Sequence, residues 1–583
     1  VRRTLSSWVD SLDAHLALLE SSGDGHDLGR ARRKAFRAAR RDFKRMEGVL
    51  AYYSPPVVAA LNSAETEEEG DDTADGYHVL HGFQLLEDHL FGGDEAKDWA
   101  PASSELIVMR LTTQRYRTVI PLIATTDMEC LQIARLELAR VATVGITGFD
   151  ASMSHDGIPE SAEALEGLLA LPCVGTGTGG PSASLQAAAQ YLREHPDFES
   201  FDRFTFVQAY ANPAFEALAS AAADARRRSG VAPLPHRRTW PDAVASVYDA
   251  RGFDVGSYDL TGRSSSPRPD LVALGRELFF EPALSGNGTR ACSTCHIPER
   301  AFTDGRALAA RIDGRKTSLR NTPSLINAAL QPAQFADERR VTLEQQAGDV
   351  LASAAEMGSS ADIAARHLAA IPAYRDRIKS GKDVREALAT YIRSLTALNA
   401  PFDRALRGEV ALGADARRGF NVFMGKARCG TCHFAPLFGG TLPPEFVMSD
   451  PEIIGVPTSN VTRGATLDPD LGRGAIDRRG GMAHAFKTPT LRNTALTAPY
   501  MHNGVFRTLE NLIDFYDRGG GQGVGAEVPN QTLSPDSLHL TAADRKALIA
   551  FLQSLTDTTG LTAHPVPREA AGGSSPITTN RCP

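Results

Sequence analysis

The chain of 583 residues contains no apolar run of about 20 residues, so no helical membrane span is expected. It has no surplus of basic charge either: 62 Lys and Arg face 70 Asp and Glu, and the net charge of -8 argues against a nucleic-acid partner. Cysteine is scarce, with 7 in the whole chain, so a cysteine motif that occurs twice is not a product of chance. What remains is the composition of an ordinary globular protein, 42% hydrophobic and 23% charged, at a length that calls for roughly three or four domains.

Four of those cysteines stand in Cys292-Ser293-Thr294-Cys295-His296 and Cys429-Gly430-Thr431-Cys432-His433. Cys-x-x-Cys-His is the spacing at which two thiols bond the vinyl groups along one edge of a haem while the next imidazole turns under the ring to hold iron. Zinc needs four ligands gathered from two knuckles roughly 15 to 20 residues apart, whereas Cys295 and Cys429 are separated by 134 residues. A dithiol redox pair has no use for a histidine in both copies. Two covalently bound c-type haems are therefore expected, with Cys292, Cys295, Cys429 and Cys432 holding the porphyrins and His296 and His433 the irons. Haem of this kind is attached outside the cytoplasm, and Val1-Arg2-Arg3 leads directly into an amphipathic stretch, so a periplasmic chain numbered from its mature terminus is expected. In an oxidising compartment Cys130 and Cys173 either pair or stay as two isolated buried thiols, with Cys582 left over on a tail.

Leu5, Trp8, Leu12, Leu16 and Leu19 recur at helical spacing until Ser21-Ser22-Gly23, and Phe36, Phe43, Met46, Leu50 and Tyr53 form a second stripe that ends before Pro55-Pro56. Such stripes bury themselves against one another, which predicts a helical bundle over residues 1–255. Seven acidic residues between Glu65 and Asp75 mark a solvated loop in preference to a calcium site. Gly175-Thr176-Gly177-Thr178-Gly179-Gly180 matches Gly-x-Gly-x-x-Gly in form, but no strand precedes it and it reads as a loop before the next helix. A stretch rich in Pro, Arg and Ser follows Arg228, and residues 256–270 read as the linker.

Within the bundle, Gly82-Phe83-Gln84-Leu85-Leu86-Glu87-Asp88-His89-Leu90-Phe91 resembles the Gly-x-His-x-x-Glu segment of the imelysin family, helical periplasmic proteins linked to iron uptake. Gln84 stands where that family has its histidine. An amide is a poor ligand for a transition metal, so Glu87 is expected to be structural and the bundle to serve docking or scaffolding.

Beyond the linker, Leu274-Gly275-Arg276-Glu277-Leu278-Phe279-Phe280, Leu284-Ser285-Gly286-Asn287-Gly288 and Ala301-Phe302-Thr303-Asp304-Gly305 frame the first haem motif. With it they closely resemble the bacterial di-haem cytochrome c peroxidase and MauG family, over about residues 270–560. An internal repeat points the same way: Thr322-Pro323-Ser324-Leu325-Ile326-Asn327-Ala328-Ala329-Leu330 returns as Thr488-Pro489-Thr490-Leu491-Arg492-Asn493-Thr494-Ala495-Leu496. The resemblance implies a mainly α-helical chain whose bundle is followed by cytochrome c-like domains at 271–404 and 405–565 and a flexible tail at 566–583.

It also implies a division of labour. In many members of the family a loop histidine 16 residues after the first haem histidine blocks the iron until reduction removes it; here that position is Ile312, and no histidine lies between His296 and His367, so the first site should be open. The family's distal glutamine, and the glutamate ten residues on, correspond to Gln346 and Glu356: a group that orients hydrogen peroxide and a carboxylate that moves its proton. For the second haem, the position 14 residues after the histidine of Pro499-Tyr500-Met501-His502 is Tyr516, which resembles MauG, with Met448, Met482 and Met501 as rival ligands. The tryptophan that the family usually has between the haems falls on Ala336, leaving Phe335 or direct tunnelling to connect them. A calcium ion between the haem domains would, by the same resemblance, take Asn321 and the carbonyls of Thr497 and Pro499.

The function so implied is periplasmic, MauG-like oxidation of a partner protein or other surface-bound donor, driven by hydrogen peroxide. Two alternatives stand beside it. One is peroxide detoxification with electrons from a small redox protein; the other, of a different class, is a non-catalytic di-haem electron carrier or iron-associated binding protein.

Overall fold

The computed structural model describes residues 1–21, 28–66, 78–92, 99–175, 180–229, 240–241, 243–253, 255, 268–314, 320–449, 451–477 and 481–561. The acidic run after Thr66, residues 176–179 of the glycine-rich loop, most of the linker and Cys582 lie outside these residues. The fold is mainly α-helical, with two short antiparallel strand pairs, Asn62–Thr66 with His78–Gly82 and Pro451–Glu452 with Phe486–Lys487.

Both predicted stripes fold as helices. In Arg2–Glu20 the residues Leu5, Val9, Leu12, Leu16 and Leu19 are buried at helical spacing, and Leu28–Tyr53 buries Phe36, Phe43, Met46 and Leu50. Pro55 and Pro56 do more than end the second helix. Because the missing N–H of proline is harmless in a first turn, they open the next one, Pro55–Leu61. Helices Ala100–Val119, Asp127–Thr143, Gly157–Leu169, Gly180–Glu194 and Asn212–Ser229 complete the bundle. Asp127–Thr143 starts at a capping box between Thr126 and Glu129 and is buried along nearly its whole length. It carries Cys130, which forms a disulfide with Cys173, 43 residues away. The choice left open between a disulfide and two thiols is settled for the disulfide.

The bundle interior is also charged. Lys44 Nζ lies 2.7 Å from Asp150 Oδ2 and 3.0 Å from Glu47 Oε2, and Arg140 reaches Asp150 at 3.0 Å, Glu47 at 2.6 Å and Glu137 at 2.5 Å. Arg40 pairs with Glu160 and donates to the Asp150 carbonyl at 2.9 Å. Burial pushes the Asp150 carboxyl up, but Lys44, Arg140 and Arg40 outweigh it and hold the group well below the usual carboxylate range. Breaking one partner out of such a network leaves a buried charge uncompensated. The loop at residues 147–155 is thereby fixed to the bundle.

The two haem domains repeat one another in space. Helix Pro269–Phe279 crosses Gly381–Arg393 at Gly275, where a side chain would run into the Ala387 carbonyl. Helix Ala414–Met424 crosses Ala542–Ser554 at Gly419, where one would run into the Ala547 carbonyl. Asn327 and Asn493, at equivalent positions within the repeated Thr-Pro segments, both sit at φ 64 and both start a short 3-10 turn.

Chain order suggests that the bundle, through its linker, neighbours the first haem domain. The hydrophobic cores are arranged otherwise: residues 5–248 share one continuous core with residues 398–555 and with Leu330, while the other core residues between 274 and 397 form a second. The seam is specific. Phe204 meets Phe402 and Phe420 at 6.3 and 6.4 Å, its N–H donates to Asn421 Oδ1 at 2.9 Å, and Gln208 and Asn212 donate to the carbonyls of Ala405 and Leu406 at 2.6 and 2.8 Å. The bundle is thus part of the second haem domain's body rather than an appended module.

A bridge that closes a 43-residue loop limits the unfolded chain by about 4 kcal/mol in the chain-entropy account. The double variant Cys130→Ala/Cys173→Ala is expected to lose stability up to that amount in denaturant unfolding followed by far-UV circular dichroism, with haem absorption unaffected in native buffer.

Candidate di-haem site

Each Cys-x-x-Cys-His motif forms a 3-10 turn, Cys292–Thr294 and Cys429–Thr431, that closes onto its histidine through a main-chain bond from the histidine N–H to the first cysteine's carbonyl, 3.0 Å in the first and 2.9 Å in the second. The chain then doubles back. Ile297 pairs with Thr303 and Phe434 with Gly439, and the residues at the bends, Phe302 (φ 62) and Phe438 (φ 51), adopt left-handed backbone that bulky side chains rarely tolerate. That strain has a visible product. The Phe302 carbonyl receives His296 Nδ1 at 3.0 Å, while Phe438 and Pro489 present their carbonyls to His433 Nδ1 at 3.3 and 3.1 Å. With Nδ1 engaged, Nε2 carries the lone pair in both rings. Burial lowers the His296 pKa and takes that of His433 down to about 4, so both imidazoles are neutral, as an iron ligand must be.

None of the four motif cysteines pairs in a disulfide. Burial raises Cys292 and Cys429 to about 12 and also raises Cys295 and Cys432, which removes the thiolate that a dithiol redox pair would need. Both motifs line one cavity of about 1850 Å³. Among its walls, the buried Thr322 Oγ1 has no hydrogen-bond partner, and Arg290, Arg320 and Lys487 line the same space. Donor set and space fit two c-type haems.

Gln346, on helix Leu343–Ala352, and Glu356, in the turn after it, line this cavity with His296. Burial raises the Glu356 pKa, with Arg339 and Arg290 pulling the other way. The Ile312 loop runs alongside: the Ile312 N–H donates to the Ala355 carbonyl at 2.8 Å, and Arg290 ties the carbonyls of Ala310, Arg311 and Glu356 together at 2.9, 2.9 and 3.3 Å. Of the described residues lining the cavity, the first haem domain contributes no histidine besides His296.

Tyr516, on helix Leu509–Asp517, lines the cavity with Cys429 and Cys432. Its phenol is pushed up by burial and then by the neighbouring Cys429, Cys432 and Glu452. Of the rival methionines, Met448 is 63% exposed and Met482 does not reach the cavity, whereas Met501 does. Asn321, Thr497 and Pro499 border the cavity as well; the Asn321 N–H donates to the His502 carbonyl at 2.5 Å and its Nδ2 to the Arg306 carbonyl at 2.6 Å, which leaves Oδ1 as an acceptor. No group of three His, Cys, Asp or Glu side chains gathers into a metal site among the described residues.

At Ala336 the domains are stitched together. Its carbonyl accepts from the Lys487 N–H at 2.8 Å, and Lys487 Nζ reaches Gln331 Oε1 at 2.5 Å and the Ala333 carbonyl at 3.0 Å. Burial lowers this amine to about 8. Phe335 is covered by the Arg339 guanidinium 3.4 Å from its ring centre. In the bundle, Gln84 Nε2 donates to Asn62 Oδ1 and to the Asp150 carbonyl, both at 3.1 Å, and Glu87 Oε1 accepts from the Ser154 N–H and hydroxyl at 3.0 and 2.6 Å. Both residues hold the 147–155 loop.

Sequence reasoning missed Glu452. Its Oε1 lies 3.3 Å from Cys432 Sγ and its Oε2 accepts from Thr532 Oγ1 at 2.5 Å, so a carboxylate lies against the second motif. It lies in no motif. Lys487 immediately precedes the repeated Thr488-Pro489 and could have been found through that repeat.

Fold and site together define a di-haem c-type cytochrome. A family model described as di-haem cytochrome c peroxidase matches residues 269–411. The chain is 36% identical over 299 residues to the methylamine utilization protein MauG of Methylorubrum extorquens, covering 49% of this chain and 78% of that protein. It is 34% identical over 310 residues to the cytochrome-c peroxidase IdrP2 of Denitromonas iodatirespirans, covering 49% and 82%. A solved MauG-like protein associated with microbial copper homeostasis aligns at 31% identity and TM-score 0.42, over 53% of this chain and 97% of that one. The chain belongs to the di-haem cytochrome c peroxidase family and is a di-haem peroxidase.

A fixed negative charge beside a redox centre favours its oxidised form. Glu452→Gln, which keeps the size and the Thr532 contact, is expected to raise the midpoint potential of the second haem in a spectroelectrochemical titration; an unchanged value would mean that the charge is fully screened.

Proposed function

We propose that the protein uses hydrogen peroxide at the haem carried by Cys292, Cys295 and His296 to oxidise a partner protein or other surface-bound donor, in the manner of MauG. The observation that supports the reading is that Gln346 and Glu356 line the same cavity as His296; by the family resemblance, Ile312 stands at the loop position from which a histidine would block the iron. Bound haem supplies the redox chemistry, taking two electrons' worth of oxidation from peroxide and releasing it one electron at a time. The rest is work for the chain. The Gln346 amide orients peroxide by hydrogen bonding. The Glu356 carboxylate accepts a proton from one peroxide oxygen and returns it to the other, which leaves as water. Arg339 and Arg290 favour the ionised form that can accept that proton, against the effect of burial.

In this reading His433 and Tyr516 would hold the iron of the second haem. A phenolate is a hard anionic ligand that lowers the potential and suits a store of oxidising equivalents. Asn321 Oδ1 with the Thr497 and Pro499 carbonyls would hold a calcium ion between the domains, and the compartment would be the periplasm. Relatives described as cytochrome-c peroxidases favour a second reading, in which a small redox protein feeds electrons to the second haem and peroxide is simply consumed. Turnover of peroxide with a reduced small cytochrome or copper protein separates the two.

General acid-base groups contribute about 10²–10⁴-fold, so Glu356→Gln is expected to slow the reaction with peroxide by that factor in stopped-flow absorption. A rate within twofold of the parent would remove Glu356 from the mechanism. Because burial raises its pKa, the parent rate should fall as pH drops through a value above the ordinary glutamate range of about 4.3.

The oxidised protein should give one high-spin and one low-spin ferric EPR signal, and Tyr516→Phe should convert the low-spin one. Two low-spin signals and no response to peroxide would instead establish an electron carrier.

A further inference from the structure

The second haem motif is bordered not only by its own domain but by the N-terminal bundle. Thr147 packs so close that a side chain on Gly430, between the two haem-binding cysteines, would come within 3.2 Å of its Cγ2. The Phe149 ring meets that of Phe434, the residue after His433, edge to face at 5.3 Å. Arg428, the residue before Cys429, is 3.0 Å from His155 Nε2. Phe149, Met153 and His155 line the same cavity as Cys429 and Cys432. The loop carrying these residues is not free to drift, because Asp150 is held by Lys44, Arg140 and Arg40 and Ser154 by Glu87.

We propose that this bundle loop is the outer wall of the second haem's pocket, on the edge where Cys429 and Cys432 attach the porphyrin. The inference rests on the haem assignment made above. Phe149 and Met153 are 37% and 48% exposed, so their outer sides face water while their inner sides border the cavity. They keep solvent off an edge that, in a lone cytochrome domain, would be wet. Water stabilises the more highly charged ferric form, and burial is one of the factors that set haem potentials. The bundle therefore raises the second haem's potential above that of the same domain without a wall, and a redox partner must meet either this loop or another edge. That gives the first 250 residues a role in electron transfer without any metal of their own.

The test uses the full-length protein with both haems. Phe149→Ser and Met153→Ser remove the apolar cover at partly exposed positions, and Ile107→Ser, at a 51% exposed site on the same bundle away from the cavity, is the control. Spectroelectrochemical titration of the low-spin haem is expected to give a lower midpoint in the two wall variants, with a several-fold shift in the ferric-to-ferrous ratio, and no shift in the control. A small-molecule reductant should also reduce that haem faster. Wall variants that fold, carry both haems and keep the parent midpoint would overturn the proposal. Should Phe149→Ser not fold, Met153→Ser decides alone. Failure of the haem assignment is a separate result, visible as a protein that lacks two c-type absorption spectra before any potential is measured.

Discussion

An imidazole can offer iron only one nitrogen while its other nitrogen keeps a proton, and in this protein that choice is made by main-chain carbonyls. Phe302 holds His296 by Nδ1; Phe438 and Pro489 hold His433. Two of these three carbonyls, those of Phe302 and Phe438, belong to phenylalanines in left-handed backbone, so the fold accepts local strain in two places to help orient two rings. Everything that distinguishes the haem sites is built around those fixed imidazoles.

Around this common base the surroundings diverge. The first site has a carboxylate raised by burial and an amide on its wall, with an aliphatic loop at Ile312 alongside. The second has a buried phenol, a carboxylate against its cysteine and aromatic cover from another domain. Duplication accounts for what the halves share: the helix crossings at Gly275 and Gly419 and the turns at Asn327 and Asn493.

Much of this could be read from residue order. Haem attachment follows from spacing alone because covalent chemistry at a rigid ring demands it, and the bundle helices follow from apolar stripes such as Leu5 to Leu19. Contacts between distant segments could not be read. Glu452 is one carboxylate among 70 acidic residues and becomes significant only when a strand pair sets it against Cys432. Phe204 reads as an ordinary core residue, and nothing local says that its partners lie some 200 positions downstream in place of the adjacent haem domain. Ala336 was legible as a departure from the family pattern, but the Lys487 amine that reaches across the same seam was not.

The aromatic face centred on Phe204 has a temporal consequence. Its hydrogen bond to Asn421 spans 217 residues, and those of Gln208 and Asn212 span 197 and 194. The chain emerges N-terminus first, so this sticky face stays uncovered until residues 402–421 of the 583 have followed it, and closing so large a loop is slow. The intervening haem domain, with its own separate core, can fold meanwhile. Completion of the molecule is therefore discontinuous, and its earliest-made part is among the last to be sealed.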